Sequence, residues 1–286
     1  MGLLGVAVMA APGLAWAQPA DLFYERAVMT AADARCGLFA PDVSAALAAA
    51  AQQARGAALR AGADAEALRG VERAAQARAA AGPCASPDIA LAAGRVKAAF
   101  SGYAKITRLT YSGDVAAWQA DRNLGRRVRW RLAQETSFGP DRLTFGLAGR
   151  DGADVLVAVA RFADEAEPYA ARLVLRDTGR SPQPYLDRRT GGATAGLPLA
   201  RRLPPASAVK AFAASARAQA EGELLPKGAA GWAFRFPEAA AAELARLDPR
   251  EAVAVEFLFP GDQVRRAYVE VGDFAAGRAF LRVASR

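Results

Sequence analysis

The stretch Ser207-Ala208-Val209-Lys210 has the residue types and spacing of a serine–lysine nucleophile pair. One helical turn would bring the lysine amine close to the serine hydroxyl, the arrangement with which penicillin-binding enzymes activate serine. The pattern predicts a helix from Ser207 to about Gln219. The alternative to a nucleophile pair is that Ser207 only caps this helix and that Lys210 is a solvated side chain. Neither an S-x-N nor a K-T-G motif follows, so a serine–lysine hydrolase is the alternative function and not the first expectation.

The chain contains no histidine. This absence removes the most common general base, the Ser-His and Cys-His nucleophile pairs and the most common metal ligand. Asp164, Glu165 and Glu167 form an acidic cluster, but they lack the regular spacing of a calcium loop and are predicted to be a solvated turn. We therefore expect a non-enzymatic protein that needs no metal and no cofactor.

Arg127, Arg129 and Arg131 alternate with apolar residues in the stretch "RVRWRL", which is typical of a strand with one buried and one exposed face. The three guanidinium groups would form a row that could bind carboxylates or phosphates in a bidentate manner. The alternative is that this row is only a solvated face. The arginines that could extend the row are Arg188, Arg189, Arg201, Arg202, Arg265 and Arg266.

The formal net charge of +8 would usually suggest nucleic acid as a partner. Nearly all the cations are arginine, however, and isoleucine is nearly absent, which indicates a GC-rich coding sequence. Part of the arginine excess then reflects codon usage. We expect an anionic envelope polymer, lipid headgroups or another envelope protein as the partner, and no nucleic acid.

Residues 1–17 are predicted to be a bacterial signal peptide. A short uncharged apolar run is broken at Pro12, and Ala15-Trp16-Ala17 follows with the small-x-small pattern that signal peptidase recognises. The run is too short to cross the ~30 Å hydrocarbon core of a bilayer. We expect cleavage after Ala17, a periplasmic or secreted location, and a mature chain that does not span the membrane.

Cys36 and Cys84 are the only cysteines. Two cysteines in an oxidising compartment usually pair, whereas two thiolates without histidine would make only half a zinc site. No C-x-x-C motif points to redox chemistry. We predict a structural disulfide that contributes about 4 kcal/mol in the chain-entropy model.

Apolar periodicity divides the mature chain into a helical part and a β-rich part. Residues 18–110 are predicted to form four alanine-rich helices, held together by the disulfide. Residues 111–127 are predicted to be a connector with a short helical piece around Trp118. Residues 128–286 are predicted to form an antiparallel β sandwich or curled sheet, which begins with a four-stranded meander and contains a long loop at 177–206. The fold class is therefore α+β.

The C-terminal stretch from Val253 to Leu281, with a strand, a gap, a second strand and the pattern G-x-F-x-A at 272–276, resembles the tail of the invasion-associated locus B family of exported bacterial proteins. The resemblance implies a non-enzymatic periplasmic or secreted β protein. The chain departs from the family pattern in having no cysteine in its β half and in having a helical front part.

These observations predict an exported, non-enzymatic envelope protein with a binding or structural role, directed toward an anionic component of the envelope. Two alternatives stay open. One is a Ser207–Lys210 hydrolase that acts on the cell wall or its peptides. The other is a periplasmic partner or inhibitor module that uses the loop at 177–206.

Overall fold

The computed structural model of this protein describes residues 19–123, 125–150, 155–186, 194, 196–220 and 222–283. The predicted signal peptide lies outside the described residues. Within them, four helices are followed by two antiparallel sheets, so the predicted α+β class is confirmed.

The four N-terminal helices begin where the local sequence predicts. The Asp64 carboxylate accepts hydrogen bonds from the backbone N–H groups of Glu66 and Ala67 at 2.9 and 3.0 Å, which caps the third helix. Ser86 caps the fourth in the same way, and a proline follows it at the first helical position. The helices are α1 (Pro19–Cys36), α2 (Pro41–Arg60), α3 (Ala65–Ala81) and α4 (Pro87–Tyr103).

The predicted Cys36–Cys84 disulfide is confirmed, with the two Cα atoms 5.7 Å apart. It joins the end of α1 to the turn that precedes α4. The contacts among α1, α2 and α3 are made largely by small side chains such as Ala54 and Ala58, with Phe23, Leu59 and Leu68 as the larger members. Alanine buries little apolar area, so the covalent link adds stability where packing supplies little of it.

The β-rich part consists of a seven-stranded sheet in the order β1-β2-β3-β4-β5-β9-β8 and a four-stranded sheet in the order β11-β10-β6-β7. All strand pairs within them are antiparallel. The strands are β1 (Arg108–Tyr111), β2 (Trp118–Asp121), β3 (Arg129–Phe138), β4 (Asp141–Gly149), β5 (Val155–Arg161), β6 (Ala170–Arg176), β7 (Val209–Ala213), β8 (Ala216–Gln219), β9 (Trp232–Arg235), β10 (Ala252–Phe259) and β11 (Gln263–Glu270).

The two sheets pack face to face over an aromatic core. The Phe257 ring of the smaller sheet lies 5.6 Å from that of Phe234 and 5.8 Å from that of Phe138, both in the larger sheet. Two short helices complete the core, α5 (Glu238–Leu244) and α6 (Phe274–Arg282). The α6 residue Phe274 packs against Trp118 at 5.1 Å between ring centroids, so α6 closes one end of the sandwich.

The predicted connector at 111–127 is wrong in its secondary structure, because β1 and β2 form a hairpin there. Trp118 lies in β2 and not in a helical piece. Its ring is fully buried and its indole N–H donates a hydrogen bond to the carbonyl of Val271 at 3.0 Å. Burial of this ring against α6, together with pairing of β2 with β3, determines the local structure.

Two further predictions in the β-rich part are wrong. The four-stranded meander is interrupted after β5, because β6 pairs with β10 and β7 in the smaller sheet. The helix predicted from Ser207 to Gln219 is replaced by a short 3-10 turn, Ala206–Ala208, and by β7 and β8. The sequence there is rich in alanine and favours helix, but hydrogen bonding to β6 and β9 overrides that preference.

Candidate anion-binding site

The face of the seven-stranded sheet that points away from the smaller sheet, here called the outer face, is partly covered by the β8–β9 loop. Residues 220 and 222–231 of this loop are described. Leu224 is buried in a small apolar cluster with Ala148, Val157 and Val159. The Trp130 indole N–H also donates to the Leu224 carbonyl at 3.1 Å, which fixes the loop against β3.

A cavity of about 460 Å³, here called the arginine pocket, opens beside this loop. Its arginines come from separate segments that meet at one end of the sheet. The start of β3 lies beside the end of β4, and the start of β8 lies beside the end of β9. The five arginines that line it are Arg126, Arg127, Arg150, Arg217 and Arg235.

The described residues that line the arginine pocket carry a strong excess of positive charge. Glu223 is the one carboxylate among its described lining residues. Arg217 stacks on the Trp232 ring at 3.6 Å and lies 3.6 Å from Glu167. The other four arginines are exposed, and within the described part of the chain none of them makes an ion pair.

An unoccupied cluster of this kind destabilises the fold slightly, because like charges closer than the Debye length of ~10 Å at 0.1 M salt repel one another. Guanidinium groups cannot relieve the repulsion by losing a proton at physiological pH. An anion with two or more acceptor oxygens would instead receive several charge-assisted hydrogen bonds. The arrangement is therefore suited to binding a carboxylate, phosphate or sulfate group.

The predicted row of Arg127, Arg129 and Arg131 does not form. A β-bulge between Trp130 and Leu132 adds one residue to β3, so those two side chains point to opposite faces of the sheet. Arg131 is buried and donates a hydrogen bond to the carbonyl of Asn123, and Arg129 lies 3.9 Å from Asp121. Of the three residues, Arg127 alone lines the arginine pocket.

The other arginines proposed to extend that row have different surroundings. Arg202 is buried against Asp114 at 3.0 Å, Arg266 pairs with Glu256, and Arg201 is exposed in a 3-10 turn. Arg188 and Arg189 lie outside the described residues. The partner of Arg202 is distant in the chain, in the turn between β1 and β2, whereas Glu256 lies directly opposite Arg266 in the β10–β11 hairpin.

Asp164 of the acidic cluster is an ion-pair partner. The Arg265 guanidinium, with nitrogen–oxygen distances of 2.9 and 2.5 Å, lowers the pKa of Asp164 to about 2. Glu167 lies near Arg217, and Glu165 has a positive φ of 58° in the turn. Among the described residues, no group of three or more metal-ligating side chains is placed to hold an ion.

Ser207 and Lys210 are not brought together by a helical turn. Ser207 is exposed in the 3-10 turn before β7. Lys210 lies in β7, where its ammonium is 3.5 Å from a carboxylate oxygen of Glu243 and 5.2 Å from the centre of the Phe212 ring. This geometry lacks the arrangement on which the serine–lysine interpretation depends.

Arg150, Arg217 and Arg235 were not recognised as site residues from the sequence. Arg150 directly follows an apolar strand and Arg235 ends another, so each carries only the weak signal of a charged residue at a strand end. Placing them together requires the pairing of β5 with β9, and the whole of β6 and β7 lies between those strands in the chain. Local periodicity cannot supply this information.

Comparison of the chain with protein-family models, with curated proteins and with solved structures found no match. None of the helices in the described ranges combines the length and the apolar character needed to cross a bilayer.

Proposed function

We propose that this chain is an exported, non-enzymatic protein of the bacterial envelope that holds an anionic envelope component in the arginine pocket. The observation that carries the proposal is the convergence of four exposed arginines, Arg126, Arg127, Arg150 and Arg235, on one cavity with a single described carboxylate in its lining. Charge clusters of this density cost stability unless they have a ligand, so their presence favours a binding function.

Five features support the export and the non-enzymatic role. The Cys36–Cys84 disulfide fits an oxidising compartment, where such bonds persist. The signal peptide predicted at residues 1–17 and the resemblance of the C-terminal tail to the invasion-associated locus B family favour the same location. The absence of histidine and the separate surroundings of Ser207 and Lys210 argue against a hydrolase.

The expected affinity follows from the exposure of the arginines. Exposed ion pairs contribute about 0–1 kcal/mol each. Four such contacts supply at most about 4 kcal/mol, which corresponds to a Kd near 1 mM for a small ion. Useful affinity therefore requires a larger ligand that gains additional contacts beside the arginine pocket.

The test uses the disulfide-bonded protein, immobilised and exposed to a solubilised bacterial envelope extract and, separately, to long-chain polyphosphate as a defined polyanion. In the pocket variant Arg126, Arg127, Arg150 and Arg235 are changed together to Gln. A control variant removes the same charge from exposed arginines that do not line the arginine pocket, namely Arg73, Arg78, Arg95 and Arg180.

Retention of anionic material by the wild type and the control, its loss in the pocket variant, and a steep decrease with added salt are the expected results. Equal retention by the pocket variant and the control would contradict the proposal, because binding would then depend only on overall charge.

A further inference from the structure

Two more cavities adjoin the same β8–β9 loop on the outer face. One has a volume of about 460 Å³ and is here called the middle cavity, and the other, of about 1040 Å³, is called the far cavity. The middle cavity shares Glu223 and Leu224 with the arginine pocket. Arg142 and Arg161 line both the middle and the far cavity. The three cavities thus surround one loop and share walls.

The middle and far cavities differ from the arginine pocket in charge. In each, Arg142 and Arg161 are balanced by two described carboxylates, which are Glu135 and Glu223 in the middle cavity and Glu165 and Glu167 in the far cavity. The arginine pocket is lined by five arginines, of which four make no ion pair within the described part of the chain, and by one described carboxylate. Positive charge is therefore concentrated at one end of the three cavities.

The lining of the two balanced cavities is suited to hydroxyl groups. Guanidinium groups donate hydrogen bonds and carboxylates only accept them, and a hydroxyl can do both. Ser137 and Thr144 add side-chain hydroxyls to the middle cavity. Trp130 lines the middle cavity and Trp232 the far cavity, and each is only partly buried, so apolar ring surface lies beside these polar groups.

We propose that the ligand is an acidic oligosaccharide, with its acidic group in the arginine pocket and its uncharged sugar units in the middle and far cavities. This inference rests on the proposed function and specifies the class of ligand. A polymer with a charge on every unit would bring anions next to Glu135 and Glu165, where like charges repel. A sugar chain places its hydroxyl groups there and its charge at the arginines.

The register of the strands separates the arginines of the balanced cavities from those of the arginine pocket. Arg235 is paired with Val157 of β5, and Arg161 lies four residues further along the same strand. At the usual rise per residue these backbone positions are about 14 Å apart. This separation of the backbones exceeds the width of one sugar ring, so a chain of several sugars is better suited than a single ring to contact both arginines.

The shape of the surface argues against a membrane as the occupant. The arginines line concave cavities, which a planar bilayer cannot enter. Among the described residues, the large apolar side chains that are fully exposed line none of the three cavities, so this face has little of the apolar surface that inserts into lipid. Those side chains are Tyr24, Leu91, Ile106, Val115, Tyr169 and Val264.

The test is calorimetric titration of the disulfide-bonded protein with defined probes. The acidic oligosaccharide is sialyllactose, whose single carboxylate lies at one end of the sugar chain, and the matched acidic monosaccharide is sialic acid. Lactose, long-chain polyphosphate and anionic phosphatidylglycerol vesicles are further arms. Arg161→Gln probes the two balanced cavities, and the four-arginine pocket variant probes the acidic end. Arg95→Gln, which removes a charge from α4, is the control.

The expected result is that sialyllactose binds at least tenfold more tightly than sialic acid and than lactose. Arg161→Gln should lower the affinity for that oligosaccharide by about tenfold, the effect of one lost hydrogen bond to a charged group, and leave the monosaccharide affinity unchanged. The pocket variant should lose both ligands, and the control should match the wild type.

The alternative outcomes separate this inference from the proposed function. Polyphosphate binding in the arginine pocket without preference for any oligosaccharide would overturn the sugar inference and leave anion binding in place. Binding to vesicles alone would overturn it in favour of lipid. Failure of every anionic probe to bind would overturn the proposed function as well.

Discussion

The buried ion pair between Arg60 and Asp273 joins the helical part to the sandwich, and its removal should have a large effect on stability. Arg60 ends α2, and its guanidinium contacts both oxygens of the Asp273 carboxylate at 2.7 and 3.0 Å. The Asp273 side chain is only 2% exposed. Gly56 permits this approach, because a Cβ atom there would lie 2.2 Å from a carboxylate oxygen of Asp273.

Removing only Arg60 leaves a carboxylate buried without its partner. Arg60→Met should therefore lower the free energy of unfolding by about 3–5 kcal/mol, whereas Arg60→Met combined with Asp273→Leu should restore most of it. Burial already raises the pKa of Asp273, although the ion pair with Arg60 opposes that shift. Without this opposition, the pKa of Asp273 should rise further in Arg60→Met.

The pH dependence of Arg60→Met follows from this direction. A carboxyl group whose pKa is raised in the folded state contributes stability below its unfolded pKa and loses it as the pH rises through the folded pKa. The single variant should therefore be more destabilised at neutral pH than near pH 4, in contrast to the double variant. The assay is urea unfolding followed by tryptophan fluorescence at both pH values.

A loss of less than about 1 kcal/mol that does not depend on pH would refute the reasoning, because a buried and unpartnered carboxylate must cost more than an exposed one.

Three further predictions concern other parts of the molecule. Replacing Cys36 and Cys84 by Ser should lower the free energy of unfolding by about 2–5 kcal/mol, and thiol labelling of the unreduced, unfolded wild type should find no free thiol. Arg142 and Arg161 are directly opposite on β4 and β5, where their like charges repel. Arg161→Gln should therefore raise the free energy of unfolding, measured in urea, by about 0.2–1 kcal/mol. A lower free energy of unfolding in this variant would contradict the repulsion. Arg265 lowers the pKa of Asp164 to about 2, so this pair should contribute stability above the ordinary pKa of 3.8 and lose it as the pH falls toward 2. Asp164→Asn should therefore flatten the acidic part of the curve of unfolding free energy against pH. An unchanged acidic part would argue against the pair.

The elements that local sequence determines could be predicted. The caps at Asp64 and Ser86 define where two of the helices begin. The turn at Pro260-Gly261-Asp262 defines the β10–β11 hairpin. The two cysteines could be paired because no other partner exists for either. In each of these cases the deciding interaction lies within a few residues or has one possible solution.

The elements that distant contacts determine could not be predicted. Trp118 is in a strand because β2 pairs with β3 and its ring is buried beside α6. The alanine-rich stretch after Ser207 forms strands because β6 and β9 supply hydrogen-bonding partners. The bulge beside Trp130 turns Leu132 to the opposite face, so the alternation of arginines in the sequence gave the wrong row.

The candidate site combines both kinds of information. The sequence directed attention to Arg127, which lines the cavity, and it placed Arg129 and Arg131 in the same group although their contacts are different. The group that does line the cavity is completed by Arg150 and Arg235, from the ends of strands that are far apart in the chain.

A crystal structure of the disulfide-bonded protein with a bound acidic ligand, sialyllactose or polyphosphate, tests the central claim most directly. The account predicts an anionic group in the arginine pocket, with its oxygens about 2.7–2.9 Å from guanidinium nitrogens of Arg150 and Arg235. An anion bound instead at another surface, with the arginine pocket occupied only by water, would contradict it.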